Sequence, residues 1–420
     1  MHGRDSPARS ESPRLTVYAG GMLALDGEVE FDPQREEEFF AALPTRPAVF
    51  LVEPRPAGAA PYLLRTADLR RRAERLLRAP EMPSQRLNLR DLTARVRYRL
   101  TGSRFEQNLL FYQHARERFP RRYRALVRLR PPALLKVNLG TEYPRCYLTR
   151  RILSDGGFYF GPFASRKAAE AFANDFLDLF KLRRCLIKIR RDPNFPGCIY
   201  SEMKMCLAPC FAGCSKAEYD VEVGRVLDFL GSRGRTLACE FEHEREISSE
   251  ALHFERAAAL HRKLEKVAEI LSGLGELARQ VDELDAVVLQ PAAEGNTVAL
   301  FAVRGGRIAD PFFLRFGELA SQPRSVEEIL REELKPEIGT EDHGPRPGSG
   351  PRVASEELTE HLGLLAGWFY SNPRQGEIFF RQRARGAKEP SAADWPYRRM
   401  IRACSRLLAP TEPPSHPVSS

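Results

Sequence analysis

No run of eighteen apolar residues occurs in the 420-residue chain, so no segment has the length to cross a bilayer as a helix. No apolar leader follows Met1, and eight cysteines in so long a chain do not make a disulfide-dense small scaffold. A soluble, cytoplasmic protein with reduced thiols is expected, without membrane contact. Lysine is missing altogether between Pro61 and Arg130, where nineteen arginines stand with six acidic residues. That stretch carries +13 against +9 for the whole chain, so the remainder sums to about −4. Guanidinium groups fork onto phosphate oxygens and release counterions, which points to one face meeting DNA. Arginine-rich helix faces that are merely solvated give the same composition. The length leaves room for two or three domains, each burying its own core.

Four of the cysteines, Cys185, Cys198, Cys206 and Cys210, fall within 26 residues, with 12, 7 and 3 residues between them. Zinc sites bring cysteines as two close pairs, and only the last spacing here is short. Iron–sulfur clusters accept wider spacings and often have proline beside a ligand, as Pro209 is beside Cys210. A cluster, a zinc ion and unligated buried cysteine are the three readings. Cys214 is a spare thiol that could replace one of the four.

Period-2 and period-3.6 patterns place the elements. Strands are expected at Ala48–Val52 and Tyr62–Leu64, joined as a hairpin, and helices at Pro33–Leu43 and Ala67–Arg78. Arg95 to Leu100 alternates strictly, with Arg95, Arg97 and Arg99 on one face and Val96, Tyr98 and Leu100 on the other. Ser103–Phe119 reads as a helix with Phe105, Leu109, Tyr112 and Ala115 on one side. Two strands are expected within residues 145–163, then helices at Arg166–Phe180, Lys216–Leu230, Arg235–Ser248 and Ala251–Leu271. Short strands return at Ala286–Leu289, Val298–Val303 and Arg307–Arg315, with Gly305-Gly306 as a hairpin turn. Residues 1–15 are too polar to order themselves, and Leu15–Tyr18 is a short apolar piece.

The segment from Arg184 to Cys210, with Tyr159-Phe160-Gly161-Pro162-Phe163 upstream and Phe254-Glu255-Arg256-Ala257-Ala258 downstream, resembles the UvrC family of bacterial excision-repair nucleases. The likeness runs in order from residue 45 to residue 320. It implies an α+β chain with a GIY-YIG-like domain over 45–130, after an N-terminal extension over 1–44. A cysteine-rich module over 131–215 would follow, in which Cys185, Cys198, Cys206 and Cys210 hold a 4Fe-4S cluster. A UVR helical hairpin over 216–275 would dock on UvrB through Phe254, Leu260, Leu264 and Val267. Its heptad-like stripe of Leu260, Leu264, Val267 and Leu271 could equally pack on the preceding helix. A partial RNase-H-like β region over 282–335, a Pro/Gly-rich linker over 336–354 and a helical tail over 355–420 complete the expectation.

GIY-YIG cleavage needs a phenol, an arginine and a carboxylate on one divalent metal. By the resemblance the first phenol falls on Phe50, the second on Tyr62, and the glycine two residues on is Leu64. The family's lysine is Arg65, its catalytic arginine Arg72, and its metal-binding glutamate Phe111. Glu106 lies about 140° around the helix from Phe111 and cannot take over. Mg2+ is expected only if the site works. The family's second catalytic motifs and its helix-hairpin-helix repeats have no counterpart in residues 320–420, and Asp285 and Asp310 read as turn or strand-end carboxylates. Arg65, Arg70, Arg71, Arg95, Arg97 and Arg99 are the expected DNA contacts. The leading expectation is a UvrC-like accessory protein of nucleotide excision repair with lost or impaired incision. The alternatives are a single-incision endonuclease using Tyr62 and Arg72, and an iron–sulfur nucleic-acid-binding protein unrelated to UvrB.

Overall fold

A computed structural model of the chain describes residues 24–56, 58–79, 87–319, 324–335, 351–381 and 395–408. The expectations for residues 1–15 and for Leu15–Tyr18 fall outside them. Three antiparallel sheets organise the molecule.

The first is built from β1 (Gly27–Glu30), β2 (Ala48–Pro54), β3 (Tyr62–Thr66) and β4 (Thr93–Leu100), in the order β1-β4-β2-β3. β1 joins this sheet although its sequence, Gly-Glu-Val-Glu, carries little strand propensity. Its pairing sets Glu28 opposite Arg97 and Glu30 opposite Arg95, so opposite charges face across the ladder. Helices α1 (Glu36–Ala42) and α2 (Leu69–Leu77) cover one face, packing Phe39, Phe40, Leu69 and Leu76 on Phe50 and Val96. The other face carries α3 (Arg104–Arg118), and α4 (Tyr123–Val127) follows it. Side-chain caps start the helices where the sequence supplies them: Asp68 accepts from the Arg71 N–H, and Ser103 from the Glu106 N–H.

The second sheet has the order β6-β5-β7-β8, from β5 (Ala133–Val137), β6 (Cys146–Thr149), β7 (Phe158–Phe163) and β8 (Arg279–Gln280). β5 and β8 were not among the expected strands. Lys136 sits in β5 only 2% exposed, and it is accommodated by an ion pair with Asp155 and by the Tyr159 ring 5.0 Å away. Against this sheet pack α5 (Arg166–Leu177), α7 (Lys216–Ser232), α8 (Arg235–Glu250) and α9 (Phe254–Ser272), while the short α6 (Ile199–Glu202), in the cysteine-bearing segment, buries none of its residues. Phe160 of the Tyr159–Phe163 motif stacks on Phe172, which stacks on Phe176, which meets Phe229 of α7. The module expected over 131–215 and the helices after it therefore share one core.

The third sheet joins β9 (Ala286–Pro291), β10 (Thr297–Arg304), β11 (Arg307–Ile308), β12 (Phe312–Arg315) and, from much later in the chain, β13 (Glu377–Phe380). Gly305 and Gly306, at φ +51° and +78°, turn β10 into β11 as expected. The short α10 (Phe316–Leu319) and α11 (Val326–Glu333) follow, then α12 (Pro351–Phe369) and α13 (Tyr397–Leu408). Two expectations are corrected here. α12 begins at Pro351, inside the range read as linker; residues 336–350 lie outside the described residues. The tail is neither separate nor wholly helical, because β13 pairs with β9 and α12 and α13 pack into two different cores of the sheet. Leu362, Leu365 and Trp368 of α12 are buried with α3, and Met400 and Cys404 of α13 with β9 and β10.

α3 is consequently enclosed. It lies against Val49, Leu51 and Leu63 of the first sheet and against Ala286, Val288 and Phe301 of the third, in one cluster. Phe105 meets the Phe301 ring edge-on at 5.0 Å and Trp368 at 5.2 Å. A Cβ on Gly102 would stand 2.2 Å from the Ala292 backbone, so the entry to α3 needs glycine for this close approach.

Candidate nuclease-like site, basic face and thiol cluster

Strand alternation separates the residues that the motif alignment brings together. Phe50 is fully buried in the core beneath α1 and α2. Tyr62 stands opposite Val52 and is 39% exposed, turned to the same side as Phe50. Arg65 points to the other face, where its guanidinium bonds the Asn108 side chain and lies 5.1 Å from the Phe111 ring centroid. Phe111 is itself buried among α3's neighbours. The position aligned with the metal-binding carboxylate is thus an aromatic ring under a cation.

Glu106 is only 2% exposed, and it accepts a hydrogen bond from the Gly102 N–H at 2.8 Å. Burial pushes its pKa up to about 7, partly offset by that N–H and by Arg99. A carboxyl whose charged form is disfavoured by burial, and which is bonded inward, is not a ready ligand for a hard cation. Asp285 accepts from the Gly305 N–H and stands 3.5 Å from Arg381, and Asp310 accepts from Gln113. Both carboxylates are engaged in turns and contacts, as their sequence positions suggested.

The basic face differs from its sequence picture because its partners lie far along the chain. Arg95 pairs with Glu28 at 2.8 Å and Glu53 at 2.9 Å, Arg97 reaches the Leu25 carbonyl, and Arg99 pairs with Asp26 at 3.0 Å. Arg70 donates to the carbonyls of Leu43 and Ala41, closing the end of α1. Of the six expected DNA contacts only Arg71 has a side chain with no hydrogen bond or ion pair among the described residues. Arg72 on α2, and Arg118, Arg121 and Arg122 at the corner between α3 and α4, are likewise unengaged. Sequence reading counted that corner within the +13 stretch but gave it no role.

The cysteine-bearing segment is strung onto the second sheet by backbone bonds, Leu207 N–H to Lys181 O and Asp192 N–H to Cys210 O. All four thiols are free. Burial raises the Cys206 pKa to about 11, the Ala208 N–H at 3.3 Å from its Sγ lowers it, and the thiols of Cys185, Cys210 and Cys198 raise it further. Burial raises the Cys210 pKa as well, with the Phe211 N–H acting to lower it, and buried Arg183 places Nη1 3.9 Å from Cys185 Sγ. Cys198 and Ser201 cap α6 reciprocally. The Ala208 amide and the Arg183 guanidinium are thus directed toward cysteine sulfur, and the Cys206 thiol is influenced by the other three. Among the described residues, no three His, Cys, Asp or Glu side chains are drawn into a ligand arrangement. Cys214, the spare thiol of the sequence reading, is buried in the module's core.

In the hairpin of α8 and α9, Leu260 and Val267 are buried and Leu264 is packed against the same core. The stripe is therefore covered by this chain itself. Exposed instead is the tip, with Ile247 at 52%, Leu252 at 70% and Phe254 at 65%. Ile247 and Leu252 were not singled out in the sequence, because they lie outside the heptad spacing. No helix among the described residues is long and apolar enough to cross a membrane.

Residues 133–229 match the family model of the UvrC/Cho excinuclease middle domain. The chain is 27% identical over 364 residues to the UvrABC system protein C of Moorella thermoacetica, covering 84% of this chain and 56% of that protein. It is 30% identical over 269 residues to the protein of the same name from Carboxydothermus hydrogenoformans, covering 63% of this chain and 43% of that one. With its namesake in Oleidesulfovibrio alaskensis it shares 31% identity over 273 residues, 64% of this chain and 38% of the relative. The chain thus spans about half the length of the curated relatives it matches. No solved structure matches it.

Proposed function

Because the chain belongs to the UvrC family, we propose that it is a nucleotide excision repair protein that binds DNA and docks on UvrB with its incision activity lost or impaired. The observation that carries the loss is the pair Arg65 and Phe111, which fills with cation and ring the place where the resemblance puts a metal-binding carboxylate. Phe50 removes one phenol as well, and Glu106 is bonded inward. DNA is met through phosphate contacts from Arg71 and Arg72 on α2 and from Arg118, Arg121 and Arg122 at the α3–α4 corner, whose side chains are unengaged among the described residues. UvrB is met by the exposed apolar tip of the α8–α9 hairpin, with Phe254 and Leu252 as anchors. The third sheet, with its helices, corresponds to the RNase-H-like region in a form that has lost its acidic site.

Cys185, Cys198, Cys206 and Cys210 hold a 4Fe-4S cluster, supported by the sulfur-directed donors and by the mutual influence of the thiols. The cluster would tie the irregular segment between α5 and α7 to the second sheet. Anaerobically purified protein should carry iron and broad visible absorbance, and Cys198→Ala should lose both; zinc in place of iron would replace the cluster by a four-cysteine zinc site. For the function itself the test is capture: UvrB should retain this chain, and Phe254→Ser should release it. Failure of UvrB to bind, with DNA affinity intact, would favour an iron–sulfur nucleic-acid-binding protein independent of UvrB.

A further inference from the structure

A cavity of about 1020 Å3 opens where all three sheets' units meet, between α4, the turn after β6 and the first half of α12. Arg130, Arg150 and Arg151 line it, all exposed, and none has a side-chain hydrogen bond or ion pair among the described residues. Two carboxylates in the opposite wall share the one guanidinium of Arg124, so the lining, with four arginines against two glutamates, keeps a net charge of +2. Glu360 accepts from the hydroxyls of Tyr112 and Tyr123 and stands 3.4 Å from Arg124, while Glu356 pairs with Arg124 at 2.7 Å. Val127 and Ile152 give the cavity a buried apolar floor.

We propose that this cavity is a binding site for a nucleotide, with Arg130, Arg150 and Arg151 on its phosphate and the apolar floor against its base. Three guanidiniums around one space whose lining is net positive favour a doubly charged or bridging oxyanion over a single carboxylate, since each can donate two parallel hydrogen bonds to it. An apolar floor beside them suits a ligand whose charged end adjoins a flat, weakly polar body, which is what a nucleotide offers and inorganic phosphate does not. The volume is at the upper end of the range for small-ligand pockets, enough for one nucleotide with room for its neighbours in a strand. Its mouth adjoins the corner bearing Arg121 and Arg122, so the source is either a free nucleotide or one nucleotide of a DNA strand. The site adjoins the α3–α4 corner proposed for duplex DNA but uses different arginines, and it does not rest on that reading or on the hairpin tip.

The test uses the full chain with three probes: ADP, a short single-stranded oligodeoxynucleotide and inorganic phosphate. ADP or the oligonucleotide should bind more tightly than phosphate. Each arginine changed to serine, Arg130→Ser, Arg150→Ser or Arg151→Ser, should weaken that binding about tenfold, as loss of a charge-assisted contact does. Binding of ADP alone identifies a free nucleotide, and binding of the oligonucleotide without ADP identifies a strand. Because the three side chains are exposed and have no partner among the described residues, unchanged melting confirms the fold of each variant. Mapping of phenylglyoxal modification gives a second readout, in which the bound probe shields these three arginines and leaves Arg71 reactive. The inference is overturned if neither nucleotide probe binds, if affinity is unchanged in the Arg150→Ser/Arg151→Ser variant, or if phosphate alone binds equally well. UvrB capture and duplex binding through Arg71, Arg121 and Arg122 are measured on the same variants, so a failure there is separable from a failure here.

Discussion

Glu106 is a buried carboxyl whose proton is tied to the fold. Its pKa rises from 4.5 to about 7 because burial disfavours the charged form. Below pH 4.5 the group is neutral in folded and unfolded chains alike, and its contribution to stability is whole. Between that pH and about 7 the unfolded chain gives up the proton first, so stability falls as pH rises. The full effect is about 3 kcal/mol. Glu106→Gln can still accept from the Gly102 N–H and carries no charge. Its melting temperature should exceed that of the natural chain at pH 8 and match it near pH 4, in a melting series across pH; a parallel pH dependence in both chains would contradict the burial argument. The arginines offer a second residue-scale test. Arg95, Arg97 and Arg99 are engaged by Asp26, Glu28, Glu53 and the Leu25 carbonyl. Changing them to serine should therefore alter DNA affinity less than changing Arg71, Arg121 and Arg122. Duplex affinity should also fall steeply with salt, and the Arg71, Arg121, Arg122 variant should flatten that slope. Sequence alternation put Arg95, Arg97 and Arg99 on one face correctly. Their neutralisation was not legible, because residues of the chain's early segment supply most of the counter-charges through a strand pairing that no local pattern announces.

At the scale of elements, the helices were the most readable parts, since period 3.6 and serine caps coincide at α3, α5 and α7. β1, β5 and β13 were not, and each for a physical reason. β1 is short and half acidic, β5 carries a buried lysine whose partner is nineteen residues away, and β13 is four residues that become a strand only by pairing with β9. The α8–α9 hairpin shows how one pattern serves two purposes. Leu260 and Val267 are buried in this chain's own core, while Phe254 is exposed at the tip. Leu260→Ala should cost about 2–5 kcal/mol in unfolding experiments, the usual loss for emptying a buried leucine site. Phe254→Ser should leave melting unchanged and reduce UvrB capture instead. The opposite pattern would place the partner surface on the stripe itself.

In the whole molecule, α3 is clamped between the first and third sheets, so the helix that bears Phe111 is a structural centre of the fold. That enclosure depends on the last third of the chain: α12 covers α3, and β13 completes the sheet at β9. A chain ending at residue 335 would expose both the β9 edge and the apolar side of α3, and it should be recovered as aggregate where the full chain is soluble. The same arrangement puts Phe50 and Tyr62 on one face of the first sheet and Arg65 and Phe111 on the other. Motif alignment located these residues, but it carries no information on which face each occupies. The most direct measurement is a nicking assay on a damaged duplex with purified UvrA, UvrB and Mg2+. This chain should be retained in the UvrB complex and leave both strands intact. A nick that depends on the chain and disappears with Arg72→Ala would contradict the account.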